Sequence, residues 1–443
     1  MNRDSMGTAM SGFQAIKSRL LFVLFGMFIF RMGAHIPVPG VDIARLTELF
    51  NMHSNGILGL FNMFSGGSLA RLSVFALGVM PYISASIMMQ LFTVAVPFFE
   101  QLKKEGERGR RKISQYTRQA ALLLGTFQGF GIAKWLVAQG VIHSPTWDFY
   151  LIAVLTLTTG TFFLMWLGEQ MTERGIGNGL SLLIFAGIVS HLPQAIGSVF
   201  NQVRQGQMSG FSLLIIFLLV MAVTGFVIFM ERAQRKIPIT YAKRQMGKKM
   251  IAAQNSHLPL KINMSGVIPP IFASAIILLP ATLASFFSHN SGSGWLTDLA
   301  FMLQPGHPLN MVLFVAAIMF FSFFYAAMMF NPKETADNLK KQSALVPGIR
   351  PGEKTAEYID GVMSRLTFSG GIYLSAVALL PQLLIVAWHV PFYFGGTSLL
   401  IVVVVVMDFI SQIQSRMMSH KYESMMKKGG KKNSGSNVLN LLH

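Results

Sequence analysis

The chain contains no cysteine, which excludes disulfides and thiolate metal sites alike. Charge is also scarce. Only 12% of the 443 residues are charged, and the 18 acidic ones are outnumbered by 36 Lys and Arg. With 52% hydrophobic residues and a mean hydropathy of +0.51, a soluble enzyme is excluded and a polytopic membrane protein is indicated. No Walker loop is present. Gly175, Gly177 and Gly179 in GEQMTERGIGNGLS have neither a preceding strand nor a following Lys-Ser/Thr, so they fit a tight turn at a membrane surface rather than a phosphate cradle. The ten His show no ligand spacing, and Met pairs such as Met417–Met418 and Met425–Met426 read as packing. No metal site, cofactor or catalytic constellation is expected, so any work must be driven from outside.

What the chain has in abundance is apolar sequence: ten runs are long enough to span a bilayer. The stretch that organises them is 57–97. As one helix its 41 residues would reach roughly 60 Å at 1.5 Å per residue, twice a bilayer core of about 30 Å. Basic residues decide how it is divided. Lys17 and Arg19 precede the first span (20–36), and Lys103, Lys104, Arg108, Arg110, Arg111 and Lys112 follow Pro97. Both sets face the cytoplasm only if an even number of spans separates them. Residues 76–97 form one such span, so 57–75 cannot be another. Gly66, Gly67 and Arg71 also make that segment a poor spanner. It should dip in from the outer side and return, inside a cavity built by the rest of the chain.

Of the 36 basic residues, 31 fall on one assigned side and three on the other, with Arg31 and Lys134 within spans. That asymmetry orients both termini to the cytoplasm. Leu20–Phe30 has the look of a signal-peptide core but lacks a small-residue cleavage site after it, and reads as an uncleaved span. The remaining spans fall near 120–138, 149–167, 180–192 (extending toward 200), 211–230, 267–287, 311–330, 366–388 and 396–413. Pro269, Pro270 and Pro280 predict kinks in the seventh, and residues 237–241 permit a hairpin projecting from the loop before it. Five spans on each side of an external loop at 201–210 give an inverted-repeat layout, with the working site expected between halves. The expected organisation is a cytoplasmic N-terminus (1–19), an N-terminal half (20–200), the loop at 201–210, a C-terminal half (211–416) with cytoplasmic loops at 231–263 and 331–365, and a cytoplasmic tail (417–443) disordered from Lys427.

Several long blocks then carry a resemblance: FNMFSGG (61–67), ALGVMPYISAS (76–86), GERGRRKISQYTR (106–118), TERGIGNG (172–179), FNPKETADNLKK (330–341), VPGIRPGEKT (346–355) and PFYFGGTSLLIVVVVVMDF (391–409). In order and spacing they resemble the bacterial SecY family, channel subunits of the Sec protein translocon. The resemblance implies an all-α fold of ten transmembrane helices in two inverted five-helix halves, with a re-entrant plug helix over an hourglass pore. It implies a constriction ring of Val79, Ile83, Ile184, Ile188, Ile271 and Ile401, and a plug that includes Phe61, Asn62, Met63, Phe64, Ser65, Gly66, Gly67 and Arg71. It places Gln90, Gln128 and Asn263 at a lateral gate, and Lys243, Arg244, Lys248, Lys249, Lys340, Lys341 and Arg350 at a docking surface for SecA or the ribosome.

Further implied partners are SecE, SecG, signal peptides and nascent polypeptides, anionic lipid, and SecDF and YidC, in the bacterial inner membrane. Bottom-up, branched aliphatic groups suit such a ring because they conform around a moving chain and dewet when empty. Ile and Val in membrane helices are otherwise ordinary packing residues, and polar groups such as Gln90 often only bond a neighbour. Glu169 and Asp408 read as interfacial, snorkelling or paired rather than proton-relaying. A small-solute transporter would need ionisable groups near the midplane, and a docking platform would not need the dipping segment.

Overall fold

The computed structural model describes residues 3–52, 57–142, 147–206, 209–241, 244–246, 249–251, 255–288, 302–303, 307–388 and 396–439. The chain forms two compact units, one of Met1–Met52, Phe61–His191 and Val405–His443, the other of His53–Leu60 and Leu192–Val404. Among the described residues, seven helices are long and apolar enough to cross a membrane, and a bent pair makes an eighth. The protein is a helical, multi-pass membrane protein.

In the first unit, α1 (Arg3–Gly33) leads to the short α2 (Ile43–Met52) and α3 (Ile57–Phe64), whose last turn from Phe61 belongs here. The chain then runs without helix to α4 (Met80–Ala95), with Pro81 in its first turn, where a missing N–H costs nothing. Val96, extended as residues before proline tend to be, ends α4, and the chain turns by 93° into α5 (Pro97–Lys104). Phe99 holds this corner, with its ring against Phe92, Phe98 and Tyr116.

Next, α6 (Glu107–Ala138) packs on α4 and on α7 (Trp147–Arg174). The basic segment expected as a loop before residue 120 is therefore helical from Glu107. Its charges are solvated at helical spacing, which a charge-based reading mistakes for a connection. Arg118 and Glu169 clamp α6 to α7 through a two-pronged ion pair, Nε to Oε1 at 3.2 Å and Nη2 to Oε2 at 2.7 Å. The glycine-rich turn after α7 is closed by Thr172, whose hydroxyl accepts from the Gly179 N–H at 2.8 Å. Helix α8 (Gly179–Arg204) starts there and passes into the second unit after His191.

The second unit continues with α9 (Gly210–Arg232), α10 (Ile268–Ser288), α11 (Pro308–Met329) and α12 (Pro332–Lys341). It ends with α13 (Glu353–Trp388) and the start of α14 (Gly396–Leu439). Between α9 and α10, β1 (Gln234–Tyr241) pairs antiparallel with β4 (Asn255–Lys261), from Gln234↔Lys261 to Thr240↔Asn255. At the hairpin's far end β2 (Arg244–Met246) pairs with β3 (Lys249–Ile251). The expected hairpin is there. The strand β5 (Ala344–Leu345), which pairs with Tyr241 and Thr240, was not foreseen.

Alternation along β1 turns Ile237 and Ile239 onto a small core with Leu260, Ala326, Leu339, Ala344, Val346, Ile359 and Met363. The loops at 231–263 and 331–365 thus share one packed layer. Asn331 caps α12 by accepting from the Lys333 and Glu334 N–H groups. The tail, expected without order from Lys427, instead has helical backbone to Leu439. Extending a helix that already exists avoids the nucleation cost that isolated Lys/Ser/Gly sequence would face.

Candidate functional site

The segment after α3 is built by a glycine-terminated helix end. Gly67 N–H donates to Asn62 C=O at 2.9 Å and Gly66 N–H to Met63 C=O at 3.2 Å, with Gly66 at φ +70°. This is the Schellman pattern, and it needs a left-handed residue after the helix, which is why glycine stands there. The Asn62 side chain reaches forward to accept from Ala70 N–H at 2.9 Å. The Ser65 hydroxyl donates to Asn62 C=O and accepts from Leu69 N–H. Residues 61–71 therefore satisfy much of their hydrogen bonding within themselves.

Two backbone bonds anchor the return of this segment to the loop after α1. Val38 N–H donates to Leu72 C=O, and Val74 N–H to Ile36 C=O, both at 2.9 Å. Between them Leu72 lies at φ +40°, an uncommon conformation for a residue with a β-carbon. Such a position stores about 1–3 kcal/mol of strain and persists only where its surroundings enforce it. Leu72 itself is buried, as are Phe61, Met63, Phe64, Ser65, Ser68 and Ser73, whereas Arg71 is exposed. The hydroxyls of Ser68 and Ser73 are buried without a hydrogen-bond partner among the described residues.

The segment rests on α8. A β-carbon on Gly187 would meet the Phe64 carbonyl oxygen at 3.1 Å and the Gly66 nitrogen at 3.3 Å. Gly67 faces the His191 imidazole, and the Arg31 guanidinium of α1 donates to the Gly66 carbonyl at 3.2 Å. Along α8, residues 184, 187, 188 and 191 have the spacing of one helical stripe. The two contact positions, Gly187 and His191, thus interleave with the ring candidates Ile184 and Ile188. The other two ring candidates of this unit, Val79 and Ile83, sit at and just inside the start of α4, where Ile83 N–H donates to Val79 C=O. All four are buried. So are Ile271 on α10 and Ile401 on α14, in the second unit.

The gate candidates are placed less uniformly. Gln90 on α4 donates to the Ser86 hydroxyl at 3.3 Å, while its carbonyl oxygen and that of Gln128 on α6 are buried without a partner among the described residues. Asn263 belongs to the second unit and donates to Glu231 Oε1 at 2.6 Å and to Gly266 C=O at 3.0 Å. Ser265 donates in turn to Asn263 Oδ1. Sequence reasoning missed Glu231, at the end of α9, because it read as one more loop charge.

Of the docking candidates, Lys243 and Lys248 lie outside the described residues, and Arg244 and Lys249 open β2 and β3. Lys340 and Lys341 are exposed in the last turn of α12, where cations favour the helix end. Arg350 is exposed on a fixed tip. Ile349 N–H closes a turn onto Val346 C=O over Pro347 and Gly348, and the Thr355 hydroxyl donates to Arg350 C=O at 2.8 Å.

A family model for SecY matches residues 73–410. The chain belongs to the SecY family. It is similar to the protein translocase subunit SecY of Pseudomonas aeruginosa, 58% identical over 428 residues and 97% of either chain. It is likewise similar to the Escherichia coli K12 subunit of that name, 57% identical over 432 residues, 97% of this chain and 98% of the relative. Among solved structures its fold is similar to one described as a protein conducting channel, at a TM-score of 0.64, 15% identity, and coverage of 91% and 93%. Sec61 in a canine ribosome-channel complex has a TM-score of 0.60 at 14% identity, with the same coverage. SecY-family membership fits what the first unit carries: a self-bonded segment lying on a helix stripe of branched aliphatic residues.

Proposed function

We propose that this chain is the protein-conducting channel subunit of the Sec translocon. It moves unfolded polypeptides across the membrane and releases membrane segments laterally into lipid. The observation that carries the mechanism is the segment 61–71. Its hydrogen bonds are largely internal, so lifting it off its seat breaks few others, namely those from Arg31 to the Gly66 carbonyl and from His191 to the Asn62 backbone.

In this reading 61–71 is the plug, and Val79, Ile83, Ile184, Ile188, Ile271 and Ile401 line the constriction beneath it. Their side chains offer a passing chain no hydrogen bond to stick to, and dry out when it leaves. Gln90, Gln128 and Asn263 border the lateral gate. The chain sits in the bacterial inner membrane with both termini in the cytoplasm, as its basic residues favour. It has no enzymatic step of its own. Energy comes from SecA or the ribosome, docked on Arg350, Lys340, Lys341 and the 243–249 turn. The ribosome is a partner of Sec61 and of yeast Ssh1 in the complexes whose folds this chain shares. SecE, SecG, and association with SecDF and YidC complete the assembly, with anionic lipid around the basic faces.

The test is reconstitution with SecE, SecG and SecA in vesicles. ATP-dependent protection of a secretory precursor from protease supports the proposal. Normal assembly with no protection, under conditions where the Escherichia coli relative protects it, overturns it.

A further inference from the structure

We infer that Arg31 is a positioning residue that latches the plug, and so sets how strong a signal must be to open the channel. This rests on reading 61–71 as a mobile plug and adds the group that holds it. Arg31 is a cation within an apolar helix, where an unpaired charge is costly, and its guanidinium finds the Gly66 carbonyl at 3.2 Å. That carbonyl is available for a reason of local structure. The Schellman turn ties the N–H groups of Gly66 and Gly67 back into α3 and leaves the Gly66 oxygen facing outward.

The latch bears on the segment where its backbone already touches Gly187 of α8, and it adds to the hydrogen bond that the His191 imidazole makes to the Asn62 backbone. The cation facing Arg31 is Arg71 on the plug, and the imidazole of His191 on α8 is the titratable group beside it. A second cation near Arg31 opposes the latch rather than reinforcing it. The seat therefore combines the Arg31 bond and the His191–Asn62 bond with a repulsive Arg pair and buried hydroxyls at Ser68 and Ser73 that lack partners among the described residues. Such a balance holds the plug at rest and yields to a modest push.

The chain's lack of cysteine allows a direct test. Ser68→Cys places a small thiol on a fully buried plug position, and its reaction with an impermeant maleimide from the outer side reports how often the plug leaves. Loss of a hydrogen bond from a charged group should raise the idle labelling rate of Arg31→Met about tenfold or more. Arg31→Lys keeps the charge with one of the donors and should fall between. In the same vesicles Arg31→Met should export a precursor with a defective signal sequence better than the parent does. In a chain lacking 61–71 the substitution should change nothing, because the latched group is gone.

Unchanged Ser68→Cys labelling in Arg31→Met, in a complex whose labelling does rise during translocation, overturns the latch and leaves the plug standing. Labelling that never rises during translocation overturns the plug itself. An equal effect of Arg31→Met with and without 61–71 shows that Arg31 supports the helix packing instead.

Discussion

Replacing Gly187 by alanine separates the seat of the plug from the stability of the helix that carries it. The added methyl would lie 3.1 Å from the Phe64 carbonyl oxygen, 3.3 Å from the Gly66 nitrogen and 3.5 Å from the Gly66 Cα. All three are backbone atoms, so no side chain can rotate away to make room. Overpacking of this kind costs typically about 1–3 kcal/mol, and here the segment can escape it by lifting off. The resting equilibrium should shift by about 5- to 150-fold toward an open plug. Within α8 the same change is favourable, since alanine exceeds glycine by about 1 kcal/mol in a helix interior.

The two effects act on different equilibria, so their signs should be seen apart. Gly187→Ala should assemble with SecE and melt no lower than the parent, yet leak ions and export precursors with weak signals. Gly197→Ala is the control on the same helix: its methyl would meet nothing within 4 Å, so it should gain stability and leave gating alone. A Gly187→Ala protein with parental leak and signal stringency would refute the seat. So would one that fails to assemble, since the segment would then be structural.

Three further outcomes follow from the same geometry. Ile401→Asn and Ile271→Asn should raise ion leak at normal expression, because a polar group keeps water in a constriction that otherwise dewets; unchanged leak would remove that residue from the ring. Asn263→Leu strips a buried carboxylate of its 2.6 Å donor and should cost about 1.5–3 kcal/mol, read as faster limited proteolysis within 234–261, with Glu231→Gln milder because an acceptor remains. Arg350→Lys and Arg350→Glu should both insert and bind SecE but translocate poorly with SecA, because the fixed tip offers a forked donor that lysine does not reproduce; full activity of both would reduce Arg350 to an orienting charge.

Much of this architecture is legible in the sequence because a bilayer enforces simple rules. Charge parity alone denied 57–75 a span, and the structure has only eight residues of helix there before a buried return. Pro81 marked a helix start, and Ile237 and Ile239 alternated as a strand should. The starts of α6 and α13 were misjudged because hydropathy reports where a helix enters lipid, not where its hydrogen bonding begins. Strand β5 could not be read, since two residues carry no period.

The seat was missed for a different reason. Gly187 and His191 fall at helical spacing from Ile184 and Ile188, and that stripe was visible, but its neighbour lies over a hundred residues away in sequence. Arg31 was noticed as a charge in a span. Its partner is a backbone carbonyl, which leaves no trace in residue identity.

The claim that a polypeptide passes through the ring is tested most directly by disulfide trapping in this cysteine-free chain. A precursor carrying one cysteine is stalled during SecA-driven translocation, and single cysteines are placed in turn at 83, 188, 271 and 401, with exposed apolar positions 214 and 217 of α9 as controls. ATP-dependent disulfides should form at all four ring positions and at neither 214 nor 217. Trapping at the α9 positions with none at the ring would contradict it.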